Sequence, residues 1–168
     1  MTRAMEWAVA YDGPIAIKYA RGQAYYGLKD YNEPVEYGKS EILREGSEIA
    51  LVAVGNMVEE TEKLYNRFLQ EGRQVTFVNA RFIKPLDKEM IDHLAETHKL
   101  IVTIEEGILH GGYGALVEEY LESKASDVKV LPIAIEDTFV RHGSVEELRK
   151  MLKIDAESIY RRIRDIME

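Results

Sequence analysis

The sequence contains no cysteine among its 168 residues. That absence excludes disulfide bonds, thiolate metal sites and a cysteine nucleophile. No apolar run approaches the roughly 20 residues that a membrane-spanning helix needs. The opening residues, MTRAMEWAVAYDG, lack both the apolar core and the small-residue cleavage site of a secretory signal. We therefore expect a cytoplasmic protein with no membrane partner.

Basic residues are also in short supply. The chain has 22 lysines and arginines against 30 aspartates and glutamates, which gives a formal net charge of −8. A protein that binds nucleic acid needs a basic stripe for the phosphates, whereas the cations here are dispersed. Their one cluster, Arg161, Arg162 and Arg164, falls in a helical pattern and is predicted to be a solvated face. We expect no nucleic-acid partner.

What the sequence does contain is a regular alternation of apolar strands and amphipathic helices. Four apolar runs of strand length occur at Glu48–Val54, Gln74–Ala80, Lys99–Glu106 and Val128–Ile135. Between these runs, apolar residues recur with helical spacing. This order predicts a three-layer α/β/α domain over residues 38–168, built on a mostly parallel five-stranded sheet.

The fifth strand is expected at one edge of that sheet. In GKSEILREGSEIALVAV, two strand-like stretches flank a short turn at Glu45, Gly46 and Ser47. This pattern predicts a hairpin that places an antiparallel strand at the edge. Side chains that can cap helices are Asn56 with Glu59, Asp87, Ser144 with Glu147, and Asp155.

The first 37 residues do not fit this domain. A helix is predicted over Thr2–Tyr11 and a strand over Pro14–Ala20. One helix and one strand cannot bury their own apolar faces, so Trp7 is expected to pack on the following domain or on another copy. We interpret residues 1–22 as the tail of a preceding domain and residues 23–37 as a linker.

A glycine-rich stretch, IEEGILHGGYGALVEEYL, joins a predicted strand to a helix. Gly112 and Gly114 match the start of a dinucleotide fingerprint, but Val117 occupies the third glycine position. The pattern therefore favours a tight loop and close helix-to-sheet packing over a phosphate cradle. Glu105 and Glu106 are strand neighbours whose side chains point to opposite faces, so they cannot form a facing acid/base pair.

Other polar residues offer weaker signals. His110 shows no metal-like spacing with the remaining histidines, which favours a structural or exposed histidine over a ligand or base. Arg81 and Lys84, at a strand end, could face an anion or pair with carboxylates. Lys18 and Arg21 lie beside Gly22 at the end of the first predicted strand, and two cations there make a reasonable anion site.

Several stretches together resemble the C-terminal part of the 1-deoxy-D-xylulose-5-phosphate synthases, which are transketolase-like thiamine diphosphate enzymes. The stretches are PIAIKYARG, VNARFIKPLD, VTIEEGILHGGYGA, IEDTFVRHGS and LKIDAESIYRRI. They cover nearly the whole chain in the family's order. Lys18, Ala20 and Gly107 depart from the family's arginine, proline and asparagine, and Ala20 loosens the backbone that would aim Arg21.

The resemblance implies a function for a larger protein. Its members condense pyruvate with glyceraldehyde 3-phosphate, with loss of CO₂, using thiamine diphosphate and Mg²⁺, and act as homodimers. Residues 1–22 would then end the pyrimidine-binding domain, and Arg21, with a weaker contribution from Lys18, would bind the substrate phosphate. Catalytic, cofactor and metal residues would lie outside this chain, which is expected to be inactive alone. The alternatives are a transketolase, a 2-oxoacid dehydrogenase β subunit, or a free-standing interaction module.

Overall fold

A computed structural model describes residues 2–20, 25–29 and 31–168. The elements in chain order are α1 (Thr2–Ala10), β1 (Glu41–Arg44), β2 (Glu48–Val54), α2 (Met57–Gln70), β3 (Thr76–Ala80), α3 (Lys88–Thr97), β4 (His98–Ile108), α4 (Tyr113–Ser123), β5 (Lys129–Ile135), α5 (Val145–Met151) and α6 (Ala156–Met167). In the described part of the chain, no helix has the length and apolar character to cross a membrane.

The predicted architecture is confirmed. The five strands form one sheet in the order β1-β3-β2-β4-β5, in which only the pairing of β1 with β3 is antiparallel. Alternate residues of β2 face opposite layers. Ile49 and Leu51 pack with Phe68 of α2 and residues of α6. Ala50 and Val52 pack with residues of α3 and α4, which completes the three layers.

The predicted hairpin is wrong, although its edge strand is real. β1 pairs with β3 rather than with β2, with Ile42 opposite Val78. Because β2 is apolar on both faces, it lies at the centre of the sheet between two parallel neighbours. The edge of β3 that faces away from β2 is therefore the edge available to β1. The connection is anchored just before β3 by the Ser47 N–H, which donates to the Gln74 carbonyl at 2.9 Å. Gly46 is needed there, since a Cβ would lie 2.6 Å from the same oxygen.

Three of the four predicted helix caps are confirmed. Asp87 and Asp155 accept from the backbone of α3 and α6, and Ser144 forms a reciprocal capping box with Glu147. Asn56 is different. Its side-chain amide donates to Glu106 at the end of β4 instead of accepting from its own helix, because the strand-end carboxylate is the stronger partner.

The N-terminal segment lies against the main domain. Trp7 of α1 makes an edge-to-face contact with Phe82, which follows β3, at a ring separation of 5.3 Å, and stacks on Tyr37. The guanidiniums of Arg3 and Arg81 both donate to the Glu33 carbonyl. The expected packing of Trp7 on the following domain is therefore observed. Residues 14–20 belong to no helix or strand in the described ranges, so the predicted strand is wrong for an isolated chain. The division at residues 22 and 37 stays a prediction.

Candidate functional site

The chain reverses direction across the sheet between β2 and β4. From β2 it moves outward to β3, and from β3 it crosses back past β2 to β4. Open α/β sheets bind their ligands in the crevice at the carboxyl ends of the two strands that flank such a reversal. Here those ends carry Gly55 and Asn56 after β2, and Glu105 and Glu106 in β4. These four residues are therefore the candidate site.

The two glutamates have separate surroundings, as their strand positions predicted. The Glu105 carboxylate is buried and accepts the Gly114 N–H, at the start of α4, at 2.9 Å. The Glu106 carboxylate accepts from the Asn56 amide and, at 2.7 Å, from Nε of Arg149 in α5. Glu105 thus binds the start of the helix that follows its own strand, whereas Glu106 links the end of β4 to Asn56, which follows β2, and to α5.

The glycines of the strand-to-helix turn enclose Glu105. A Cβ at Gly112 would lie 2.6 Å from Glu105 Oε1 and would overlap the Ile108 carbonyl oxygen, and a Cβ at Gly107 would overlap Glu105 Oε2. A Cβ at Gly114 would lie 2.6 Å from the Thr103 hydroxyl. The prediction of a tight loop with close packing is confirmed. A helix N-terminus attracts an anion, and here the chain's own carboxylate takes that position.

Arg149 connects two buried or half-buried carboxylates. Its guanidinium contacts Glu106 at 2.7 Å and Glu60 of α2 at 3.3 Å. Glu60 also accepts the Ala156 N–H at 3.1 Å, which opens α6, and contacts Lys63 at 2.6 Å. Arg149 is the buried residue of α5, so this network attaches α5 and α6 to the end of the sheet. Sequence reasoning missed Arg149, since an arginine in an amphipathic helix gives no local sign of burial.

The crevice between the carboxyl ends of β2 and β4 therefore has few groups that are free to react. Its carboxylates are engaged by an arginine, an amide and a backbone N–H. In the described ranges, no group of three or more histidines, aspartates and glutamates is placed to hold a metal ion. The arrangement positions helices; it does not present a free base or nucleophile.

The remaining predicted residues are dispersed over the surface. Arg81 forms an ion pair with buried Glu41 and donates to the Pro34 carbonyl at 2.9 Å, so carboxylate pairing, not a free anion site, is the observed outcome. Lys84, Lys18 and His110 are exposed, as are Arg161 and Arg162 of the predicted solvated face. Arg21 lies outside the described residues.

A shallow groove of about 740 Å³ lies at the opposite end of the sheet, beside the amino-terminal end of β4. His98 on its wall is buried and makes ordered contacts. Nε2 lies 2.7 Å from the Thr76 hydroxyl, which accepts the Gly46 N–H, and Nδ1 lies 2.8 Å from the Thr97 hydroxyl, which donates to the His93 carbonyl. This pattern fits a neutral ring with its proton on Nδ1.

This histidine predicts an acid-sensitive part of the stability. Burial lowers the pKa of His98, and the nearby His93 lowers it further. In the unfolded chain the ring takes up its proton near pH 6.5, so the unfolded state binds more protons below about that value and the free energy of unfolding falls as the pH drops. We expect His98→Gln to reduce this loss between pH 7 and about 5.5, where carboxylates stay largely ionised.

The measurement is urea unfolding at several pH values, with His110→Gln as the matched control because His110 is exposed. A control with the same flattened pH profile as His98→Gln would contradict the assignment. An unchanged profile in His98→Gln would contradict it as well.

Comparison with known proteins shows where this architecture occurs. The family model described as "Transketolase, C-terminal domain" matches residues 38–159. The 1-deoxy-D-xylulose-5-phosphate synthase of Lachnoclostridium phytofermentans is 43% identical over 162 residues, which cover 96% of this chain and 26% of that protein. The enzyme of the same name from Heliobacterium modesticaldum is 40% identical, over 96% of this chain and 25% of its own length. The chain thus spans about a quarter of the curated relatives it matches.

A solved structure agrees with the sequence matches. A split-gene transketolase, described as an inactive β4 tetramer, superimposes with a TM-score of 0.72 at 25% identity. The match covers 79% of this chain and 43% of that one. The family model covers well over half of the chain. The chain therefore belongs to the transketolase C-terminal domain family.

Proposed function

We propose that the chain is the C-terminal portion of a 1-deoxy-D-xylulose-5-phosphate synthase. The whole protein would condense pyruvate with glyceraldehyde 3-phosphate, releasing CO₂, to give 1-deoxy-D-xylulose 5-phosphate. The observation that carries the proposal is the match to enzymes of that name over 96% of this chain but only 26% of their length. A location in the cytoplasm is proposed with it.

Within that protein, we assign this domain a structural role. Thiamine diphosphate is held through Mg²⁺, which needs several converging oxygen ligands. The residues described here do not fit that requirement, because the strand-end carboxylates are already bound to Arg149 and to the Gly114 N–H. The cofactor and the metal are therefore assigned to the rest of the protein, and homodimer contacts are included in the role of this domain.

Arg21 is the residue of this chain that we propose to contact substrate. A planar guanidinium can bind two phosphate oxygens at once, whereas an ammonium acts as a point charge. In the full-length protein, Arg21→Met is expected to raise the KM for glyceraldehyde 3-phosphate by roughly tenfold to a hundredfold, the loss of one charge-assisted contact. The KM for pyruvate should stay unchanged, because pyruvate carries no phosphate.

The matched control is Lys18→Met, which should have a smaller effect in steady-state assays. Equal KM values for glyceraldehyde 3-phosphate in wild type and Arg21→Met would remove Arg21 from the site. The reaction itself is tested by the product of the full-length protein. Formation of 1-deoxy-D-xylulose 5-phosphate supports the proposal, and acyl transfer to lipoate would instead indicate a 2-oxoacid dehydrogenase β subunit.

A free-standing interaction module is the second candidate. It is favoured by the split-gene neighbour, whose matching chain is described as an inactive β4 tetramer. A chain of this kind would be encoded apart from its partner and would restore activity when mixed with the product of that separate gene. Both candidates imply that copies of this domain associate.

A further inference from the structure

The loop between β5 and α5, residues 136–143, is exposed over its whole length. Phe139 is fully exposed, and Val140 and Val145, close by in sequence, are 39% and 56% exposed. Single apolar residues on a surface are ordinary, but an aromatic ring entirely in water beside two further apolar side chains is typical of a contact surface.

Both ends of this loop are fixed to the body of the domain. Before it, the Leu109 N–H donates to the Ile135 carbonyl at 2.8 Å, which extends the pairing of β4 with β5. After it, the Ser144 capping box starts α5, and Arg149 attaches that helix to Glu60 and Glu106. A surface held at both ends loses little conformational freedom when a partner binds, which favours association.

The order of charges along the loop indicates what the partner is. Glu136 and Asp137 precede Phe139, and Arg141 follows it. Asp137 and Arg141 are both two residues from Phe139, on opposite sides, and carry opposite charges. The nearby ion pairs among described residues are those of Arg149 and of Lys150 with Glu146, and none of these uses Asp137 or Arg141.

A twofold axis through Phe139 would make this arrangement complementary to itself. In a twofold dimer the same patch of both subunits meets in opposite directions. Phe139 would then face Phe139, and Asp137 of each copy would face Arg141 of the other. We infer that residues 136–143 form a contact surface for a second copy of this chain, paired antiparallel across Phe139. This inference rests on the self-association in the proposed function and assigns it a surface.

Two charge reversals test the pairing. Asp137→Arg places cations at both paired positions, 137 and 141, and Arg141→Asp places anions at both, so each variant alone should self-associate about tenfold more weakly than wild type. Mixed together, the two variants carry opposite charges at positions 137 and 141 and should form a heterodimer. Sedimentation velocity across micromolar concentrations, with one variant labelled, measures both effects.

Glu119→Arg is the control, because it is exposed on α4 and changes the net charge by the same amount as Asp137→Arg. Circular dichroism checks that each variant is folded. Variants that dimerise like wild type would overturn the assigned surface while leaving self-association intact. A wild-type chain that stays monomeric throughout would overturn the inference itself. Neither result bears on whether the full-length protein makes 1-deoxy-D-xylulose 5-phosphate.

Discussion

Arg149→Met is expected to lower the free energy of unfolding by about 3–5 kcal/mol, the usual cost of removing one partner of a buried ion pair. The guanidinium lies between Glu60 and Glu106, at 3.3 and 2.7 Å, and its side chain is only 11% exposed. Methionine fills a similar volume but leaves the carboxylates without their common cation. Urea unfolding followed by circular dichroism measures the loss.

Lys150→Met is the control for this prediction. Lys150 is the next residue of α5, and its pair with Glu146 is exposed, so its removal should leave the unfolding midpoint near that of wild type. Adding Glu60→Gln and Glu106→Gln to Arg149→Met should recover part of the lost stability, since the uncompensated charges are then gone. Equal midpoints for Arg149→Met and Lys150→Met would show that the network does not hold α5.

Gly112→Ala should also destabilise strongly, by about 3 kcal/mol, in the range of core overpacking. The added methyl group would overlap the Ile108 carbonyl oxygen and lie 2.6 Å from Glu105 Oε1. A backbone oxygen on one side and a buried carboxylate on the other leave no room for relaxation except by moving α4. The cost arises from close approach, because the backbone of Gly112 has φ −76°, which alanine also adopts.

Gly143→Ala is the matched comparison. Its Cβ would lie 3.2 Å from a methyl group of Leu148, a flexible side chain that can shift, so little stability should be lost. The two variants differ in what the same methyl group meets. If thermal and urea unfolding give the same loss of stability for Gly112→Ala and Gly143→Ala, then the turn around Glu105 is less rigid than the contacts indicate.

Periodicity was sufficient to predict the layers of this fold. The apolar runs became β2 to β5, and Asp87, Ser144 and Asp155 start helices as their residue types predict. Strand pairing was beyond local reasoning. The turn at Gly46 looks like a hairpin, yet β1 bonds to β3, because the double-sided apolar character of β2 decides which strand is central.

The site was only partly predictable for a similar reason. The opposite faces of Glu105 and Glu106 follow from strand geometry alone. Their partners do not, since Asn56 and Arg149 come from elements distant in sequence. Asn56 has a residue type that commonly caps helices, but its side chain donates to Glu106 instead. No local sequence pattern could predict which of these two partners the side chain takes.

In the proposed function, this domain positions and supports a reaction whose machinery lies elsewhere in the protein. The most direct measurement is formation of 1-deoxy-D-xylulose 5-phosphate from pyruvate and glyceraldehyde 3-phosphate, with thiamine diphosphate and Mg²⁺ supplied. The assay compares this chain alone, the separately expressed remainder of the gene product, and the two mixed. We predict product only in the mixture, whereas sustained turnover by the purified chain alone would contradict the account.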